Sequence, residues 1–467
     1  MTALWTVADA VRATAGSSAV DWAATGVSID TRRLEPGDLF VALRGPNHDG
    51  HDFVTAALER GAAAALVDRA VGDTPANAPL LRVGDTLAGL AALGRFARAR
   101  SRARTVAVTG SVGKTGTKEA LRLALGACGT IFASSGSLNN HWGVPLSLAR
   151  MPPEVAYGVF ELGMNHPGEI AALTRLVRPH IAVITTIEPA HLGFFRSVEE
   201  IADAKAEIFL GLEPGGIAVL NRDNPHYARL AAAAIRTGAE IVGFGADPPA
   251  TVRLLDCVLE PRGSMVEAAA PGKVLRFRLN VPGRHWVMNA LAVLGTVVAA
   301  GCDPQPAAEA LAALEALPGR GRCHRLPWRG GNLTLIDESY NASPAAMLAA
   351  LAVLGATAPA PGGRRVAVLG DMLELGASAE ELHRALAQPL KSAEVVCAFL
   401  IGTEMAALHE VLPAPLRGGL WSSAGAAIPA LSSFLKPGDV VTVKGSYSVG
   451  LGRVVERLLA ESAQSEA

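Results

Sequence analysis

Seven consecutive residues carry the sharpest chemical signal: Thr109-Gly110-Ser111-Val112-Gly113-Lys114-Thr115. They close an apolar run, TVAVT, and precede a helical one, KEALRLALGA. Glycines let backbone N–H groups come close to phosphate oxygens, and a helix N-terminus adds positive potential. In such a loop Lys114 would reach the outer phosphates of a nucleotide, and Thr115 would place its hydroxyl on Mg²⁺. The bland alternative is a glycine-bearing turn with a solvated lysine, and the strand and helix flanks count against it. The loop departs from the full GxxxxGK[ST] pattern, because Val108 stands where the first glycine belongs.

A phosphate loop of this kind calls for a second metal ligand at the end of a neighbouring strand. Glu161 closes the apolar run VAYGVFEL and fits that place; a surface charge is the other reading. His191 follows a further expected strand, Ile181 to Thr186, on its C-terminal side. Ligand sites of open α/β sheets gather there, although a satisfied loop histidine is equally compatible with the residue alone. Lys205 lies in SVEEIADAKAEIFLGL between Ala204 and Ala206, with Ile208 and Phe209 close by. A partly buried amine loses basicity because its charged form is poorly solvated. The neutral amine could then do covalent chemistry, including capture of CO₂ as a carbamate; the alternative is a solvated helix lysine.

These residues need a sheet to hold them. From Thr105 onward, short β-rich runs alternate with helical stretches: Thr105 to Thr109, Val155 to Leu162, Ile181 to Thr186, Ile217 to Leu220 and Ile241 to Phe244. That alternation predicts crossover units on a largely parallel sheet. VPGRHWVMNALAVLGTVVAA then reads as a turn and a long buried helix. A second α/β unit opens after Leu317-Pro318-Gly319, with strands at LTLID, VAVLG, VVCAFLIG and DVVTVKG. Before the phosphate loop, VSIDTRRLEPGDLFVAL reads as strand, turn at Pro36-Gly37-Asp38, and strand, and FVTAALERGAAAALV as a helix. The expected division is 1–100, 101–316 and 317–467.

Composition narrows the class. The chain has 467 residues, half of them hydrophobic, 18% charged, with a net charge of −1. Such length exceeds one ordinary core. No global positive field exists to draw nucleic acid or an anionic membrane. Cys128, Cys257, Cys302, Cys323 and Cys397 are scattered and form no CxxC pair, which reads as reduced packing cysteines of a cytoplasmic protein. The first residues do not read as a signal peptide, and the apolar run Trp286 to Ala300 is too short to span a bilayer.

Eight motifs occur in order: TGSVGKT, NNHWGVP, ELGMNHPGEI, AHLGFF, AKAEIF, DESYNASP, GDMLELG and KGSYS. Together they resemble the ATP-dependent Mur ligases of peptidoglycan synthesis, and within that family the branch that joins D-alanyl-D-alanine to a UDP-N-acetylmuramoyl-tripeptide. The resemblance implies a small α/β domain for the UDP end of the precursor, a central ATPase domain and a Rossmann-like lid. It implies that Asp30, Thr31, Arg32, Asn47, His48, Asp49 and His51 face the UDP-sugar, and that Asn139 and Asn140 lie near the peptide. Thr115, Glu161, His191 and Lys205, the last as a carbamate, map onto two Mg²⁺ positions. Thr109, Gly110, Ser111, Gly113, Lys114, Asn289, Asp337, Glu338, Tyr340 and Asn341 map onto the ATP site, together with Arg320 or Arg322. Lys444 and Ser446 would come in with the lid. The family usually has asparagine where Trp286 stands, aspartate at Glu338 and arginine at Tyr447. The implied reaction runs through an acyl phosphate, in a protein acting as a monomer.

Overall fold

A computed structural model of the chain describes residues 3–72, 74–75 and 77–464; Met1, Thr2 and the last three positions of the third expected section lie outside them. Three larger sheets organise the chain. The first has four strands in sequence order, Gly26–Ser28, Asp38–Val41, Ala64–Val67 and Leu80–Arg82, all parallel. Gly37, at φ 93°, makes the expected turn. FVTAALERGAAAALV is not one helix, however. The helix stops at Glu59, Gly61 turns at φ 90°, and Ala64–Val67 is a fully buried strand. An alanine-rich run suits either element, and burial on both faces of a parallel sheet decided it.

The central sheet has nine strands. Across it lie Lys273–Leu279, Gly263–Ala270, Val252–Glu260, Glu240–Gly245, Ile217–Asn221, Ile181–Ile184, Arg104–Thr109, Tyr157–Glu161 and Ile131–Ala133. All pairings from Ile131–Ala133 to Val252–Glu260 are parallel, and the last two are antiparallel. The parallel strands are buried on both faces, so they read as continuous apolar runs. Val106, Val108 and Val183 pack toward the helices Lys114–Gly126 and Arg284–Ala299. Ala107, Phe160 and Ile184 pack toward the helices Glu169–Val177 and Val198–Ala206. The antiparallel meander at 252–279 was not among the expected elements. Its inward and outward residues alternate, so no continuous apolar run marks it.

The third sheet orders its six strands Arg322–Trp328, Gly331–Glu338, Val440–Lys444, Arg365–Gly370, Val395–Ile401 and Arg417–Trp421. Only the first pairing is antiparallel. The four expected strands form its centre, and the two unforeseen ones are edges, where polar residues are tolerated.

The units join unequally. The first unit is fastened to the central one by bonds from its interior. Trp5 Nε1 donates to Ala149 O at 2.8 Å, Arg150 Nε to Val27 O at 2.6 Å and Arg98 Nε to Val177 O at 2.7 Å. The third unit meets the central one through loops: Arg320 with Ser137 and Glu374 with His191 by their side chains, and Glu374 O with Gly193 N–H by backbone.

Candidate active site

A cleft of about 1030 Å³ opens where the central parallel strands end and the third unit overhangs them. Its floor is the phosphate loop. Strand Arg104–Thr109 ends at Thr109, whose hydroxyl donates to Leu162 O at 2.8 Å and ties neighbouring strands together. Gly110 passes so close to Thr185 that a Cβ would lie 1.9 Å from its hydroxyl. Ser111 Oγ is held between Glu188 N–H and Glu188 O at 2.9 and 3.0 Å. Gly113 takes φ 84°, and the helix begins at Lys114. The N–H groups of its first turn have no intrahelical partner and face the cleft, which suits an anion. Lys114 Nζ donates to Gly110 O at 2.7 Å. Burial lowers its pKa, Glu161 opposes that, and Arg320 adds to it.

Glu161 ends the neighbouring strand and is 1% exposed. Its Oε1 accepts from Asn139 Nδ2 at 2.7 Å, while Oε2 is buried without a hydrogen-bond partner among the described residues. A buried, orphaned carboxylate oxygen is costly. The hydroxyl of Thr115, on the same cleft wall, also has no partner among the described residues. Two oxygen donors of this kind fit a hard cation. Among the described residues no cluster of three acidic, histidine or cysteine side chains could hold a metal alone. Mg²⁺ is ordinarily bound by one or two protein groups plus substrate phosphates, so the donor set fits that ion with a nucleotide.

His191 lines the cleft with φ 60°, and its Nδ1 meets Glu374 Oε2 at 2.5 Å. Lys205, 1% exposed, sits behind the cleft, and its side-chain Nζ has no hydrogen-bond partner among the described residues. Its pKa is driven well below the ordinary lysine range by burial and then by the Lys114 charge. Lys118 is wholly buried one turn beyond Lys114, donating to Ser134 O and Gly136 O at 2.5 and 2.8 Å. It thereby pins the loop that carries Ser137 and Asn139.

The opposite wall belongs to the hinge and third unit. Arg320 donates to Ser137 Oγ at 3.1 Å and lies 4.1 Å over the Tyr340 ring. Tyr340 in turn packs against Tyr447, centroids 5.5 Å apart. Lys444 Nζ donates to Asn341 O at 2.9 Å and meets Glu338 Oε2 at 3.4 Å. Ser446 lines the same wall. Asn289 flanks Gly113, and Trp286, one turn earlier on the helix, lies against Gly116.

Residues 23–100 match the Mur ligase family catalytic domain, 108–297 the Mur ligase middle domain and 321–447 the Mur ligase glutamate ligase domain. The chain is 36% identical to the UDP-N-acetylmuramoyl-tripeptide–D-alanyl-D-alanine ligase of Escherichia coli K12, over 92% of this chain and 93% of that one. The chain belongs to the Mur ligase family. Crystal structure I of MurF from Acinetobacter baumannii superposes on this Mur ligase with TM-score 0.85 at 30% identity, covering 98% of this chain and 99% of that one. The MurF ligase from Thermotoga maritima in complex with ADP gives 0.77 at 27% identity, over 94% and 98%.

Several expected site residues of this Mur ligase stand elsewhere. Arg322 is exposed at the start of an edge strand and does not line the cleft; Arg320 does. Asp337 is buried and spent on Gly319 N–H and the Ser339 hydroxyl, at 2.8 and 2.6 Å, so it braces the hinge while Glu338 faces the cleft. Thr109 and Gly110 shape the loop from behind. Asn140 accepts from Trp142 N–H and Gly143 N–H at 3.2 and 2.9 Å and shapes the turn that leads into the helix Gly143–Arg150. His51 is buried, with Nδ1 at 2.6 Å from Asp49 and Nε2 accepting from Asp68 N–H at 3.2 Å. Asp49 also pairs with Arg69 at 2.8 Å. Both brace their loop internally; Asn47 and His48 are exposed at its tip. Asp30 caps a turn and holds Arg32, whose side chain is 85% exposed, at 2.7 Å; Thr31 lies between them.

Sequence reasoning missed Ser137, Lys118, His285 and Glu374. Only Glu374 lay in a recognised motif, and its partner is 183 residues away. Among the described residues no helix is long and apolar enough to cross a membrane.

Proposed function

We infer that this Mur ligase joins D-alanyl-D-alanine to UDP-N-acetylmuramoyl-tripeptide, forming UDP-N-acetylmuramoyl-pentapeptide, ADP and phosphate. Near-full-length similarity to ligases of that name carries the reading. A carboxylate is a poor acyl donor because its leaving group is poor. Transfer of the γ-phosphoryl group from ATP to the terminal tripeptide carboxylate gives an acyl phosphate. The amine of D-alanyl-D-alanine then attacks the carbonyl carbon, the bond to phosphate breaks, and the amine gives up a proton.

The residue roles are likewise proposed. Lys114 and the helix N-terminus hold the phosphates and neutralise charge that grows during transfer. Ser111 and Gly113 shape that cradle. Thr115 and Glu161 would hold one Mg²⁺, and His191 with a Lys205 carbamate a second, supplying further charge neutralisation around the reacting oxygens. The orphaned Glu161 oxygen supports the first site. The depressed basicity of Lys205 supports the carbamate: the neutral amine attacks CO₂ and loses a proton. Asn289, Arg320, Glu338, Tyr340 and Asn341 contact the nucleotide; Asn139, Lys444 and Ser446 face the peptide. Arg32, Thr31, Asn47 and His48 receive the UDP end.

Units 1–100, 101–316 and 317–467 serve as precursor platform, ATPase and lid, with closure excluding water from the acyl phosphate. Free cysteines and the absence of a spanning helix among the described residues are consistent with the cytoplasm.

Phosphate release from Mg·ATP, with each substrate omitted in turn and the product weighed by mass spectrometry, tests the reading. Release requiring both substrates and yielding the pentapeptide is expected. Release requiring neither would overturn it.

A further inference from the structure

The roles above leave one motif without work: GDMLELG, Gly370 to Gly376. Its start is anchored inside the third unit. The Asp371 carboxylate accepts from Met405 N–H at 2.9 Å, its carbonyl from Ser446 N–H at 3.0 Å, and Leu373 N–H donates to Ser446 Oγ at 3.0 Å. Past this anchor the chain crosses to the loop of the central unit at 190–195. Glu374 O accepts from Gly193 N–H at 2.7 Å, and Glu374 Oε2 meets His191 Nδ1 at 2.5 Å. The backbones touch at two glycines: a Cβ on Gly376 would lie 3.0 Å from Gly193 Cα. Both partners of the side-chain contact hold left-handed backbone, His191 at φ 60° and Glu374 at φ 65°. Non-glycine residues keep such conformations only where surroundings impose them, and they cluster at functional sites.

The chemistry of the pair is directional. A carboxylate can only accept, so a proton lies on Nδ1, and in the neutral ring the lone pair is then on Nε2. No other protein group bonds the ring among the described residues. The ring therefore offers its acceptor nitrogen alone to the cleft it lines.

We propose that Glu374 is a positioning residue for His191, delivered by the third unit, which holds the imidazole as its Nδ1–H tautomer and aims Nε2 at the cleft only when the lid loop is docked. The proposal rests on the placement of His191 in the reaction given above. It makes completion of a central-unit site conditional on a side chain from the lid. A carboxylate behind a working histidine typically contributes about ten- to a hundredfold.

Two readouts test it on the full chain. Ring-nitrogen NMR of ¹⁵N-histidine protein with ADP, the His191 signals identified by their loss in His191→Gln, should show the Nδ1–H tautomer in the native protein. Glu374→Ala should lose it. In pentapeptide synthesis, Glu374→Ala should lower kcat about ten- to a hundredfold with the KM for ATP nearly unmoved and the melting temperature unchanged. Glu374→Gln, whose amide oxygen still accepts, should recover part of that kcat. The Gly193–Glu374 contact is backbone and survives in both variants, so a merely structural role predicts no such series. Native kcat in Glu374→Ala, or an unchanged tautomer, overturns the proposal. A native protein that makes no pentapeptide would sink the assigned reaction, while the NMR result stands apart from turnover.

Discussion

Lys114 is the residue on which the most rate should depend. Removing one preorganised electrostatic contact of this kind costs about 10²–10³ in rate, so Lys114→Ala should lower kcat by that order, read from single-turnover phosphate transfer. A lysine that merely braced its loop would change kcat little. His285 makes a different prediction. It lines the cleft, and burial followed by the Lys444 charge pushes its pKa down to about 4. The unfolded chain therefore binds the extra proton between about pH 6.5 and 4 and the native one does not. Stability from this group is intact above pH 6.5 and falls as pH drops through that window, by up to about 3 kcal/mol. The difference in unfolding free energy between native protein and His285→Gln should change over that interval and level off above it. A flat difference in denaturant titrations across pH would rule the mechanism out.

At the scale of elements, the helix Arg284–Ala299 and the phosphate-loop helix pack over an apolar face in which one pair is especially tight. A Cβ on Gly116 would lie 2.7 Å from the Trp286 ring, so the missing side chain makes room for the indole. Gly116→Ala gains about 1 kcal/mol of helix propensity but overpacks the contact, which costs about 1–3 kcal/mol. Net destabilisation is expected, turning to stabilisation in a Trp286→Leu background; calorimetric melting of the four proteins would check the sign change. What could be read from sequence follows the range of the interaction. The phosphate loop was legible because strand, glycines, lysine and helix are contiguous, Glu161 because it closes an apolar strand, and His191 because it follows one on its C-terminal side. Asp337 and Glu338 could not be separated, since adjacent strand residues point to opposite sides and only register says which side is the cleft. Asp49 and Asn140 looked like binding groups because capping and turn chemistry uses the same residue types, and His51 because a histidine that braces a loop from inside has the same polar groups as one that binds a ligand. The Ser137–Arg320 and His191–Glu374 pairs span 183 residues each, beyond any local pattern.

Across the whole molecule, unequal fastening decides what can move. The first unit is held by interior bonds such as Trp5 to Ala149, whereas the third is held by loop contacts at the cleft, two between side chains that ligands would also contact and one between the backbones of Glu374 and Gly193. Small-angle scattering should therefore show a smaller radius of gyration with a non-hydrolysable ATP analogue and the UDP-linked tripeptide than without them. Identical profiles would count against a lid. The basic residues are distributed to match. Lys114, Lys118, Lys205 and Lys444 are in or directly behind the cleft and at least half-buried, while only Lys273, Lys391 and Lys436 are exposed. Arginine supplies nearly all the remaining cationic surface. For anyone coupling this protein to a dye, a bead or a sensor chip, amine chemistry thus has few handles, all remote from the nucleotide cleft, and attachment through them leaves the working lysines unmodified.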